Sequence, residues 1–66
     1  MISREEENRL PVFKGGRDAI LYFRGRFKDD FKADGTIDLG DDMIFCYTLN
    51  GQAIQIHKNG DVHIIY

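Results

Sequence analysis

Two hydrophobic periods divide the chain. From residue 36 to residue 66 apolar and polar side chains largely alternate, the period of a β-strand, and Gly-containing turn segments interrupt the alternation. Between residues 20 and 31 the period changes. Ile20, Phe23, Phe27 and Phe31 are spaced three, four and four apart, which sets them on one stripe of a helix. The architecture this predicts is α+β: one amphipathic helix over 18–34, packed on a four-stranded antiparallel β-meander over 36–66.

Asn-Gly stands between β-type runs twice, in "TLNGQA" and "HKNGDV". A two-residue Asn-Gly turn accepts the positive φ angles of a type I′ hairpin and thereby fixes the register. A turn at Asn50-Gly51 sets Tyr47 opposite Ile54 and Phe45 opposite Ile56. One at Asn59-Gly60 sets Ile54 opposite Ile65 and His57 opposite Val62. Upstream, "LGDDM" closes as a three-residue loop with Leu39 opposite Met43 and Ile37 opposite Phe45. These registers gather Ile37, Leu39, Met43, Phe45, Tyr47, Leu49, Ile54, Ile56 and Ile65 on a face that must be core. The second face takes Thr36, Asp38, Ile44, Cys46, Thr48, Ala53, Gln55, His57, Val62, Ile64 and Tyr66.

Asp18 is placed to cap the helix and Gly35 to end it in the left-handed conformation, while Gly25 costs about 1 kcal/mol relative to alanine. The alternative is a strand over about 19–28 turning at Asp34-Gly35, an all-β five-stranded meander. That register sets Lys32 opposite Ile37 and Asp30 opposite Leu39, charges against core positions, so the helix is favoured. At the start, Ser3 with Glu6 forms a capping-box pattern, and Pro11 ends any helix there. Residues 1–17 are therefore a short helix and a linker, and the whole 66-residue chain is a single domain.

Composition narrows the setting. A domain this small buries only about 60% of the surface of its unfolded chain. Cys46 is the sole cysteine, so no intramolecular disulfide is available, which fits a reducing compartment. No apolar run approaches the roughly 20 residues needed to span a bilayer, and the first ten residues are charged rather than an apolar signal core. A soluble cytoplasmic protein without membrane contact is expected.

The net charge of −2 conceals an asymmetry. Residues 14–32 carry six cations against three aspartates; residues 33–66 carry Lys58 against five aspartates. Arg17, Arg24, Arg26, Lys28 and Lys32 are thus the candidate contacts of a nucleic-acid-binding module, an alternative to internal charge matching between packed elements. "RGRF" departs from the ribonucleoprotein-1 pattern of RNA-recognition domains where Arg26 replaces an aromatic residue.

Little else carries chemistry. His57 and His63 fall on opposite faces in the predicted register and cannot share a metal ion. Cys46 and His57 share the second face on a diagonal of roughly 7 Å at Cβ, without the closer contact or cleft a nucleophile needs. "GDD" at 40–42 is an ordinary polar loop, and Gly15-Gly16 lacks the lysine of a phosphate loop. No cofactor, metal or catalytic set is expected. The second face itself stands out. Ile44, Cys46, Val62, Ile64 and Tyr66 make it too apolar for plain solvent. They are the candidate interface of a non-enzymatic interaction or regulatory protein that meets an unidentified protein partner or forms a homodimer. The other possible cover is the N-terminal segment, folding back through Ile2, Leu10, Val12 and Phe13.

Overall fold

The computed structural model describes residues 2–66. A short helix α1 (Arg4–Asn8) precedes the main helix α2 (Gly16–Phe27) and a single 3-10 turn at Lys28–Asp30. Four strands follow: β1 (Phe31–Asp38), β2 (Met43–Leu49), β3 (Gln52–His57) and β4 (Val62–Ile64). They pair antiparallel in the order β1-β2-β3-β4. The class is α+β, and α2 rules out the five-stranded alternative.

Phe23 is the centre of the core. It is fully buried, its ring lies 5.5 Å from Phe31 and 6.2 Å from Phe27, and Tyr22 meets it edge-on at 5.4 Å. Ala19, Tyr47, Leu49, Ile54, Ile56 and Ile64 complete the apolar layer between helix and sheet, with Ile20 and Phe27 at its margin.

α2 stops at Phe27, a full turn and more before the predicted end, because Phe31 belongs to the sheet. β2 is seven residues long and needs a partner along its whole length. Phe31, Lys32 and Ala33 supply it, pairing with Leu49, Thr48 and Tyr47. Phe31 also stacks on Tyr47 at 4.2 Å. The helix is left through Lys28 at φ +50°, and Gly35 is not a helix cap but the positive-φ residue of an irregularity in β1, between Ala33 and Thr36.

The β2–β3 register is the predicted one, with Asn50 and Gly51 both at positive φ. The other two registers are each displaced by one residue. Between β3 and β4 the loop holds three residues, Lys58, Asn59 and Gly60, closed by the His57 amide donating to the Asp61 carbonyl at 2.8 Å. Gly60 takes φ +101°, the left-handed step that a three-residue hairpin requires. Ile54 therefore faces Ile64, not Ile65, and Ile56 faces Val62. A slip of one exchanges the faces of a strand, so Ile64 is core at 2% exposure while Ile65 stands out at 43%. Between β1 and β2 the loop holds four residues, so Ile37 pairs with Ile44 and Leu39 lies exposed in the loop.

The N-terminal segment packs on the helix side of the sheet. The predicted cap forms, with Ser3 Oγ accepting from the Glu6 amide at 3.2 Å. Before it, Ile2 is buried and held by one side chain, Gln52. The Ile2 amide donates to Gln52 Oε1 at 2.7 Å, and Gln52 Nε2 donates back to the Ile2 carbonyl at 2.9 Å. Leu10 and Phe13 pack against the same core, whereas Val12 is fully exposed. The linker then runs tightly over the β3–β4 turn. The Gly16 amide donates to the Lys58 carbonyl at 2.9 Å, and a methyl group on Gly60 would come within 2.6 Å of the Phe13 carbonyl oxygen.

Candidate functional site

With α2, Ile2, Leu10 and Phe13 all on one side, the other face of the sheet is bare among the described residues. Three cross-strand rows make it up: Lys32, Thr48 and Ala53; Cys46, Gln55 and His63; Ile37, Ile44 and His57. Ile65 extends the first row, its amide donating to the Ala53 carbonyl at 3.0 Å. Ile37 and Ile65 stand at 43% exposure at opposite corners, and Ile44 and Cys46 are half-buried by their strand neighbours.

Of the five candidate interface residues, Ile44 and Cys46 lie on this face. Val62 and Ile64 turn into the core through the displaced register, and Tyr66 leaves for α1. The Tyr66 hydroxyl donates to Glu7 Oε1 at 2.6 Å, and the Arg4 guanidinium lies 4.7 Å from its ring centre. Partial burial, with the Glu7 carboxylate beside it, raises the Tyr66 phenol above its ordinary pKa. Ile37, His63 and Ile65 take the vacated positions on the bare face. Their alternation was legible, but not the loop lengths that decide which way it points.

One polar contact fixes the rim. His57 Nδ1 lies 2.8 Å from Asp42 Oδ2, and Asp42 Oδ1 accepts from the Met43 amide at 2.8 Å. The bond from His57, with the Met43 amide second, holds the Asp42 carboxyl below its ordinary pKa. The pair ties the β1–β2 loop to the end of β3. Cys46 sits one row from His57, and among the described residues no hydrogen bond joins them. The displaced register puts His57 and His63 on the same face, contrary to the sequence expectation. Among the described residues, though, no three metal-ligating side chains converge.

The five candidate nucleic-acid contacts do not form one surface. Arg26 is engaged with Glu6 at 3.4 Å and Tyr22 at 3.2 Å, and lies over the Phe27 ring. Lys32 belongs to the bare face, opposite Thr48. Arg17 and Arg24 remain on the flank of α2 that overlooks β2, with Lys28 just past the end of the helix, where it shares a second hollow with Arg24. On that flank Arg17 and Arg24 line a groove with Ile20, Leu21, Phe45 and Tyr47.

The two sheet edges differ. β1 exposes a long edge, interrupted by its irregularity and carrying Lys32, Asp34 and Asp38. β4 has only three residues. Among the described residues no helix is long and apolar enough to cross a membrane. Comparison with protein families, characterised proteins and solved structures finds no match.

Proposed function

We propose that the chain is a small, non-enzymatic, cytoplasmic interaction protein that self-associates through its bare sheet face. The observation that carries this reading is that three isoleucines, Ile37, Ile44 and Ile65, occupy a sheet face that has no cover among the described residues. Two such faces stacked about 10 Å apart around a two-fold axis bury each other's isoleucines and leave Lys32 and His63 at the rim. Edge-to-edge pairing is the weaker route, because the irregularity and the charges of β1 and the shortness of β4 are the features that blunt sheet edges. A protein partner is favoured over nucleic acid because the basic residues are divided among three surroundings. A regulator, inhibitor or assembly subunit is the kind of role such a module fills.

Light scattering at tens of micromolar tests it. A dimeric mass that falls to monomeric with Ile44→Asp, at unchanged helix content, is the expected result. A monomeric wild-type mass, or a dimer indifferent to Ile44→Asp and Ile37→Asp, refutes it.

A further inference from the structure

We infer that the seam between α2 and β2 is a docking groove for a short acidic segment of a partner protein, anchored by aliphatic side chains. The groove holds about 380 Å³ and is floored by Ile20, Phe45 and Tyr47. Leu21, 53% exposed on the helix, overhangs it. It stays open on its outer side because the residues of β1 opposite Tyr47 and Phe45 are small: Ala33 and Thr36, both exposed. An apolar floor left open in this way gains stability from any aliphatic side chain that fills it.

Charge selects the occupant. Arg17 and Arg24 stand seven residues apart on α2, about 10 Å at 1.5 Å per residue, and Lys28 follows in the 3-10 turn just past the end of the helix. They line this groove and the hollow that continues it past Arg24. Among the described residues none of the three is in an ion pair. The row ends in acids at both limits. Asp29 lines the far hollow, and Asp38 faces Met43 just beyond Phe45. Three cations bounded by carboxylates fit a segment of limited length carrying two or three acidic residues. A long polyanion leaving the groove at either end would meet negative charge. Single-stranded nucleic acid stacks on several free ring faces in succession, and of the two aromatic side chains on the floor Tyr47 offers none. Phe31 and Tyr47 stack on each other at 4.2 Å, and both are buried. This surface lies on the opposite side of the sheet from the self-association face, so it stands or falls separately.

The test is selection of a random displayed library, with peptides of about twelve residues to match the length of α2, against the full chain. Enriched sequences are expected to place Asp or Glu around Leu, Ile or Met. A synthetic copy of the most enriched sequence should bind about tenfold more weakly to Arg24→Glu and to Leu21→Asp, and more weakly as salt rises. Both substituted positions are exposed, and an unchanged melting temperature verifies their folding. Ile44→Asp should leave peptide affinity intact while acting on the oligomeric mass. No enrichment over blank support, enrichment without acidic bias, or affinity indifferent to Arg24→Glu and Leu21→Asp overturns the proposal. So does a mixed-sequence single-stranded oligonucleotide that displaces the peptide at submicromolar concentration.

Discussion

Gln52→Ala is expected to loosen the molecule far from the substitution itself. Gln52 is the only buried polar side chain among the described residues, and its amide completes both main-chain groups of Ile2. Without it, those two groups either stay buried and unpaired, at about 1–3 kcal/mol each, or the segment frays and gives up the burial of Ile2. Burial of an isoleucine is worth about 1.5–3 kcal/mol and the two bonds about 1 kcal/mol each, offset by the chain entropy regained. The cheaper response sets the loss, which comes to about 2–3 kcal/mol. A chain of 66 residues has a total stability of roughly 3–10 kcal/mol. At about 4–8 °C per kcal/mol for a domain of this size, the melting temperature should fall by roughly 10–20 °C. Urea denaturation of Gln52→Ala, Ile2→Ala and the double variant separates the causes. If Gln52 acts by holding Ile2, the double variant costs clearly less than the two single losses combined. Additive losses, or a Gln52→Ala effect under about 0.5 kcal/mol, refute the reasoning.

Other substitutions probe the frame around this contact. Gly25 lies in α2 with open space where a side chain would stand, so Gly25→Ala should raise stability by about 0.5–1 kcal/mol in thermal denaturation. Gly60→Ala should cost more than about 2 kcal/mol in the same assay, since its φ is +101° and the added methyl meets the Phe13 carbonyl. The Asp42–His57 contact adds a pH dependence. The folded Asp42 carboxyl has a lowered pKa, so its stabilising contribution is fully present above the unfolded value of about 4 and is lost as pH falls through the lower folded value. The stability advantage of wild type over Asp42→Asn should therefore shrink below about pH 4; an advantage that stays constant down to about pH 2.5 contradicts it.

The helix stripe and the central hairpin were legible because each rests on a local signal: the spacing of Phe23 and Phe27 in one case, two consecutive positive-φ residues at Asn50-Gly51 in the other. The outer hairpins were not, because Asn-Gly serves both two-residue and three-residue loops. At Asn59-Gly60 the choice follows contacts made elsewhere: Gly60 lies under the Phe13 carbonyl, and Ile64 enters the core. Three of the five candidate interface residues moved off the bare face on that single slip and the path of the residues after it. Phe31 fitted the helical stripe by spacing, yet strand pairing with Leu49 and stacking on Tyr47 decided its state. The bond between Ile2 and Gln52 left no trace in any period, since it joins a main chain to a side chain across 50 positions.

The same long reach bears on how the chain is made. Ile2 meets Gln52 across 50 positions, and Glu7 meets Tyr66 across 59. A ribosome delivers α2, with the apolar surfaces of Ala19, Phe23 and Phe27, before any strand exists to receive it. The closing contacts of the N-terminal segment wait for residues synthesised much later. Completion of the fold therefore waits for residues 52 to 66, and until the strands are in place the apolar face of α2 has no sheet to cover it.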